Sequence, residues 1–264
     1  MRGYFIIAAL AIATASGATA ADQQPICTDR PSKSTGECTV PTGSWQVETG
    51  LIDWTHDRSN GATTDFAVYG SSLVKYGISK NADLELGITP LEMMKVHGSG
   101  IDEHHSSFGD TLIRAKYRVT SMDAPVLLAI DPFVKLPTAN HNLGNRKVEA
   151  GVVVATSAAL GKSGLTLSLD PELDWVADAD GAGHHAATQQ VVNLGLAASD
   201  KVTLSTEIWA RWDWDPSGTG KQASADGSVA YLVNNSVQID AGVNFGLNRQ
   251  TPDVEAYSGV SVRF

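Results

Sequence analysis

The chain has 264 residues, of which 18% are charged, and a formal net charge of −10. This length suits one all-β domain or two smaller domains. The acidic balance argues against nucleic acid as a partner, because binding to phosphate backbones depends on clustered cations. Beyond the first 20 residues there is no run of 18 apolar residues, so the pattern predicts no transmembrane helix in the mature chain.

The first 20 residues have the three parts of a secretory signal. Arg2 precedes the apolar stretch YFIIAALAIATA, and Ala18, Thr19 and Ala20 supply a small-residue cleavage site. The apolar run is too short to span a bilayer. We therefore predict a signal peptide over residues 1–20. Its removal takes the net charge from −10 to −11, because Arg2 is lost.

Residues 21–42 are predicted to form a periplasmic N-terminal segment that carries the two cysteines of the chain, Cys27 and Cys38. A close pair in an exported protein is typical of a disulfide. A redox pair would have the C-x-x-C spacing, and a metal site would need more ligands nearby. Closing this short loop restricts the unfolded chain by roughly 3 kcal/mol on loop-entropy grounds.

After the turn-forming residues at 41–44, the hydrophobic pattern has a period of two almost to the end of the chain. In residues 237–247, every second residue from Val237 to Leu247 is apolar, and the residues between them are polar or glycine. No stretch has a sustained helical period. Twelve such segments are predicted, at 44–56, 64–78, 83–96, 109–120, 125–136, 147–160, 164–176, 187–198, 201–214, 223–234, 236–248 and 254–264.

The connections between these segments alternate between short turns and longer, polar or glycine-rich loops. Long and short connections through an even number of strands are typical of an up-and-down antiparallel β-barrel in the outer membrane of a Gram-negative bacterium. In lipid every backbone group must be paired, so the sheet must close. We therefore predict a barrel over residues 43–264, with both termini periplasmic and outer-membrane lipid and lipopolysaccharide around it.

The last residue, Phe264, resembles the C-terminal signal that is read by the machinery assembling outer-membrane barrels, which makes that machinery a predicted partner. A secreted β-sandwich would also show alternating strands, with the apolar face inward. A sandwich would rarely have twelve long strands with alternating loop lengths, and in the clearest segments the charges all fall on one face. The pattern therefore favours the membrane barrel.

Four stretches resemble one known family: TDRPSKSTGECTVPTGSWQVETG at 28–50, KYGISKNADLELGI at 75–88, FGDTLIRAKYRV at 108–119, and residues 231–264. It is the bacterial outer-membrane barrel family named after the meta-cleavage pathway of phenol degradation. The resemblance covers nearly all of the mature chain. It implies the barrel and a channel role for small compounds, aromatic ones among them. It implies no particular binding or catalytic residues, and the cysteine pair departs from the general family pattern.

Strand parity places charged side chains in the lumen. In a purely structural interpretation, these charges form a wall of mutually neutralising salt bridges. In a functional interpretation, they create a transverse electric field that orients a small polar or charged solute. Cations follow one another on the strand at 109–120, and anions do so on the strand at 164–176. The candidate lumen residues are Arg114, Lys116, Arg118, Asp131, Lys135, Asp170, Glu172, Asp174, Glu207, Arg211 and Asp213.

No cofactor, metal or catalytic residue is assigned from the sequence. The pairs at 104–105 and 184–185, His104–His105 and His184–His185, are predicted to lie in long loops, where solvated histidines are more common than metal ligands. An outer-membrane lipid hydrolase would need a Ser–His pair; His141 and Ser157 are the nearest candidates, and there is no G-x-S-x-G motif. The main hypothesis is a channel or transporter for an unknown small solute. The alternative is a closed structural barrel or surface receptor.

Overall fold

The computed structural model describes residues 24–59, 61–98 and 100–264, so the predicted signal peptide lies outside the described residues. They form a single antiparallel sheet with fourteen strand segments. The strands are β1 (Trp45–Ser59), β2 (Ala62–Ser79), β3 (Ala82–Ile88), β4 (Leu91–Gly98), β5 (Ile101–Ser107), β6 (Thr111–Arg118), β7 (Leu127–Leu136), β8 (Glu149–Ala159), β9 (Leu165–Ala177), β10 (His184–Ala197), β11 (Val202–Asp215), β12 (Gly218–Asn234), β13 (Val237–Gly246) and β14 (Val254–Arg263).

These fourteen segments make twelve passes across the barrel. β3 and β4 both pair with β2 and together form one pass, interrupted at Thr89 and Pro90, where proline cannot donate a ladder hydrogen bond. β5 and β6 together form the next pass, because β5 pairs with β4 and β6 pairs with β3. The predicted twelve-stranded up-and-down barrel is therefore confirmed.

The barrel closes where the first and last strands meet. β1 pairs with β2 on one side and with β14 on the other. The amide of Trp45 donates to the carbonyl of Phe264 at 2.8 Å, and the amide of Phe264 donates back at 2.9 Å. The rim that holds these two residues is called the near rim, and the opposite rim the far rim. Closure satisfies the backbone groups that an open sheet edge would leave unpaired in lipid.

The two faces of the wall divide as the period of two predicts. Among the described residues no helix is long and apolar enough to cross a membrane. On β13, Ile239 and Phe245 point outward and are 47% and 54% exposed, whereas Asp240 and Asn244 between them are buried in the lumen. The exposed large apolar side chains recur on the other strands, with Leu86, Leu173 and Ile208 among them. This band is the lipid-facing surface of an outer-membrane barrel.

The far-rim connections differ from the predicted long loops. β1–β2, β4–β5 and β11–β12 are each joined by only two residues, at 60–61, 99–100 and 216–217. Gly61 and Gly100 take positive φ in two of these turns, which allows the tight reversal. The prediction was wrong because polar residues beyond the bilayer can extend a hairpin in water. The near-rim connection at 119–126, predicted to be a short turn, is longer than all three of these.

The hydrogen-bonded sheet has an unpaired edge near the far rim. There β5 pairs with β4 but with no second strand among the described residues. The connection at 137–148 covers this edge. There the amide of Asn140 donates to Ser107 Oγ at 2.8 Å, and its side-chain Nδ2 donates to the carbonyl of Ser106 at 3.0 Å. The wall at this point depends on a loop rather than on strand pairing.

Placing a charge on the lipid-facing side of β11 should impair the barrel. Ile208 lies near the middle of this strand and is 52% exposed, so Ile208→Arg should cost about 2–4 kcal/mol, as for a cation near the bilayer midplane. Ser205→Arg on the lumen face of the same strand should cost less. The measurement is folding into lipid vesicles, followed by the heat-dependent gel shift. Equal effects at both positions would contradict the assignment of faces.

Candidate functional site

Residues 24–42, here called the luminal segment, lie inside the barrel wall. The amide of Ile26 bonds to the carbonyl of Asn235 in a near-rim turn, and Thr42 forms a bridge with Gly77 before β1 begins. Between these two points the chain reaches into the lumen. The predicted disulfide is confirmed: Cys27 and Cys38 are bonded, with their Cα atoms 6.4 Å apart. It closes the loop that carries the contacts described below.

The tip of the loop supplies an anion to a cluster of cations on the wall. Asp29 Oδ2 lies 2.6 Å from Lys75 Nζ on β2, and Asp29 Oδ1 lies 2.6 Å from Lys116 Nζ on β6. Lys75 also contacts Glu48 at 2.7 Å, and both lysines lie within 3.7 Å of Glu85. Both lysines are almost fully buried. Asp29 therefore joins strands that are far apart in sequence.

On the other side of the lumen the segment supplies donors to the acidic wall. Arg30 makes two hydrogen bonds to Asp240, at 2.8 and 3.3 Å, and Lys33 Nζ lies 3.0 Å from Asp226. Glu207 accepts from the backbone amides of Lys33 and Ser34. These are charge-assisted bonds to buried carboxylates, the stronger kind of hydrogen bond.

The amide of Thr35 and the hydroxyl of Ser34 both donate to Asp170. The segment thus lies between the two charge ladders that strand parity predicts, with an anion facing the cations and donors facing the anions.

Two glycines let the segment approach the wall closely. A Cβ at Gly259 on β14 would lie 2.3 Å from Arg30 Nε, and a Cβ at Gly77 on β2 would lie 2.3 Å from the carbonyl oxygen of Pro41. Both are shorter than any real contact, so a side chain at either position would force the segment to move. These glycines give room for packing rather than for an unusual backbone angle.

The segment separates two cavities. One, of about 590 Å³, lies on its far-rim side and is lined by residues 29–30 and 32–35 together with Glu92, Asp110 and Arg114. The other, of about 620 Å³, lies on its near-rim side and is lined by Cys27, Cys38, Arg118 and neighbouring residues. No lining residue is shared between the two cavities. The lumen is thus occupied at its middle by the luminal segment.

The eleven candidate lumen residues from the sequence all lie on the inner face, mostly in ion pairs or hydrogen bonds. In the cation ladder, Arg114 pairs with Glu85 and Asp131, Lys116 pairs with Asp29, and Arg118 donates to Lys80 and Thr120 carbonyls. Lys135 pairs with Asp110 and Glu149 at 2.9 and 2.8 Å.

In the acidic ladder, Asp170 binds the luminal segment and Asp174 pairs with Arg211 at 2.7 Å, while Glu172 lies beside Asp174 and Gln189. Arg211 also lies 3.6 Å from Asp213, and Glu207 accepts from Asn193 as well as from the segment. The cations and anions of the wall are thus compensated by one another and by the segment.

Several residues of the same network were missed in the sequence. Those on the wall occupy alternate positions of predicted strands, so parity could have found them; they are Glu48, Lys75, Asp83, Glu85, Asp226 and Asp240. Those on the luminal segment, Asp29, Arg30 and Lys33, carry no periodic signal. Their partners lie up to 210 residues away, so no local pattern identifies them.

The charge of Asp29 is well stabilised. Burial by itself raises the pKa of a carboxyl, but the neighbouring Lys116 and Lys75 outweigh burial here and lower the pKa of Asp29 well below its ordinary range. Glu37 differs, because burial raises its pKa despite a hydrogen bond to Ser157. Asp29 therefore remains ionised and paired throughout the neutral range.

The histidine pairs lie in strands rather than in the predicted loops. His104 and His105 are part of β5, and His184 and His185 begin β10, since the hairpins continue beyond the bilayer. The hydrolase candidates do not meet: His141 is exposed in the connection at 137–148, whereas Ser157 is buried near the near-rim end of β8, beside Glu37.

Comparison with known families matches residues 28–264 to the family described as "Putative MetA-pathway of phenol degradation". The chain belongs to this family. The resemblance in the sequence motifs is thereby confirmed over residues 28–264. No curated protein sequence matches the chain significantly.

Among solved structures, the outer-membrane channel COG4313 from Pseudomonas putida F1 superposes with a TM-score of 0.68 at 16% identity, covering 89% of this chain and 99% of that one. The translocator domain of the autotransporter NalP from Neisseria meningitidis gives a TM-score of 0.52 at 14% identity, covering 84% and 89%. At these identities the likeness establishes a shared outer-membrane barrel fold.

Removing the charge of Asp29 should loosen the luminal segment. Asp29→Asn leaves two buried ammonium groups without this carboxylate, and breaking such a pair costs about 3–5 kcal/mol. Amide hydrogen exchange in residues 28–37 should therefore become faster at neutral pH, measured by mass spectrometry in detergent. Asp123→Asn, in an exposed near-rim turn, is the control.

Acid should loosen the wild-type segment in the same way. Because the pKa of Asp29 is lowered by folding, its contribution is fully present above the ordinary value of about 4 and is lost as the pH falls through the folded value. The wild-type segment should thus stay protected until the pH is below about 4. Unchanged exchange in Asp29→Asn would contradict a holding role for the carboxylate.

Proposed function

We propose that this protein is an outer-membrane channel for small molecules, in which the luminal segment closes the path and must move for a solute to pass. The observation that carries the proposal is the position of the segment between two cavities, where side chains from both sides of the wall hold it. A purely structural barrel could fill its centre with wall side chains alone, as eight-stranded barrels do.

We further propose that the near rim faces the periplasm. The far-rim connections include the longest, at 137–148, and β4 and β5 continue as a polar hairpin on this rim, although three far-rim turns are as short as the near-rim turns at 80–81 and 235–236. Short periplasmic and longer extracellular connections are the rule in such barrels. Phe264, exposed at the near rim, would then be available to the assembly machinery during insertion.

The solute we propose is a small, weakly polar compound, with phenols and related aromatic compounds as the first class to test. The description of the family refers to phenol degradation, and a solved neighbour is described as an outer-membrane channel. A cavity of about 590 Å³ is large enough to hold a compound with a single aromatic ring, such as a phenol. The separation of Ser157 from His141 gives no support to the alternative of a lipid hydrolase.

A side chain at Gly259 should open the path. Gly259→Val places atoms where Arg30 now lies and so breaks its bonds to Asp240, whereas Gly227→Val adds the same side chain where a Cβ would meet nothing within 4 Å. In planar bilayers the first variant should conduct ions more often than wild type, and in liposomes it should speed phenol entry. The second variant should match wild type. No gain in either assay would favour a closed structural barrel or receptor.

The two ladders should set ion selectivity once the path is open. Replacing Arg114, Lys116 and Arg118 together by Gln should shift the reversal potential toward cation preference. Replacing Asp170, Glu172 and Asp174 by Asn or Gln should shift it toward anions. Both effects should shrink with added salt, since each charge acts over about 8 Å at physiological ionic strength. If the variants conduct with unchanged selectivity, the ladders do not line the path.

A further inference from the structure

A second group of ionisable side chains lies inside the far rim, away from the luminal segment. His185 at the start of β10 is held between carboxylates: its Nδ1 lies 2.8 Å from Asp178 Oδ1 and 3.6 Å from Asp215 Oδ2, and its Nε2 lies 2.6 Å from Asp213 Oδ1. The imidazole is 8% exposed. Three carboxylates from two connected hairpins thus converge on one histidine.

The charge of this group is unbalanced. Arg211 is the cation that contacts it, and its guanidinium is shared between Asp174 and Asp213. The central group of Asp29, Glu85 and Asp131 differs, because it is contacted by three basic side chains, Lys75, Arg114 and Lys116. Like charges this close are unfavourable unless a cation lies between them. Among the described residues, the far-rim group therefore has three carboxylates facing one shared guanidinium and the imidazole of His185.

We propose that Asp178, His185 and Asp215 bind a divalent transition-metal ion, with zinc as the best fit. The imidazole and carboxylate atoms of these three residues all lie within 4.8 Å of one another. Ligands bound at about 2.1 Å around a tetrahedral ion are about 3 to 3.5 Å apart, so small movements bring the three atoms into range. One nitrogen and two oxygens suit zinc, whereas calcium and magnesium prefer oxygen alone.

The surroundings of the three ligands fit this role. Asp213 accepts from the second ring nitrogen of His185, which is the usual way in which a carboxylate orients a metal-binding histidine. The backbone amide of Ala179 donates to Asp215 Oδ2 at 2.7 Å and fixes that carboxylate. Gly183 leaves space for Asp178, since a Cβ there would lie 2.5 Å from its Oδ2.

The position of this site in the fold means that a bound ion would link neighbouring strands of the wall. Asp178 belongs to the connection between β9 and β10, and Asp215 lies at the far end of β11. An ion bound to both would tie the far-rim ends of three neighbouring strands together. Metal binding should therefore raise the thermal stability of the barrel as well as occupy the rim.

The test is zinc titration by calorimetry, with tag-free, chelator-treated protein in detergent. A second, exposed histidine–carboxylate group of His97, Asp102 and His104 lies on β4 and β5, so every variant is made in a His104→Ala background. In that background we expect one zinc per chain, and magnesium at the same concentration should not compete. His185→Ala should abolish binding. His184→Ala, the outward-facing neighbour, should leave it unchanged.

Two further variants keep the test decisive. Asp215→Asn should weaken zinc binding at least tenfold with little change in the wall, so the result does not depend on how well His185→Ala folds. Asp213→Asn should weaken binding by about 10–100-fold, as expected for a residue that orients a ligand. Equal loss in His184→Ala and His185→Ala, or no zinc bound below 1 mM as an order-of-magnitude limit, would overturn the site. None of these outcomes depends on conduction.

Discussion

The structure depends on one constraint: inside hydrocarbon every backbone amide and carbonyl must find a partner within the sheet. The pairing of β1 with β14, completed by Trp45 and Phe264, satisfies it by removing the open edge. Once the sheet is closed, the period of two separates an apolar outer face from a polar inner face. The inner face then holds many charges that are cut off from lipid and mostly from water, and those charges must compensate one another.

That compensation explains why the luminal segment is ordered. On the wall, Glu48 and Glu85 lie close to the buried Lys75 and Lys116, whereas Asp226 and Asp240 pair with cations of the segment. Asp29, Arg30 and Lys33 bring opposite charge to each side within five residues of chain. Breaking one of these buried pairs is costly, whereas displacing the whole segment exchanges several pairs for water at once. In the proposed channel, the same contacts that fill the centre of the barrel would therefore make opening cooperative.

Much of this architecture can be read from the sequence, and the remainder cannot for physical reasons. Lipid selects apolar residues at every second position, so strands such as β13 are visible in the pattern. Beyond the bilayer no such selection acts, and β5 therefore reads as a polar loop although it forms a hairpin. The disulfide between Cys27 and Cys38 could be predicted from the spacing of the cysteines and from the predicted signal peptide. The location of its loop could not, because Arg30 and Asp240 are 210 residues apart and no periodicity links them.

The path of the luminal segment also has a topological consequence. The chain passes the near rim at Ile26, turns inside the barrel, and returns to the same rim at Thr42. It is therefore a loop inserted from one side rather than a thread running through the pore. Such a loop can be withdrawn along the barrel axis without breaking a strand–strand hydrogen bond of the wall. A mechanical pull from the near side would load its ion pairs and leave the cylinder intact.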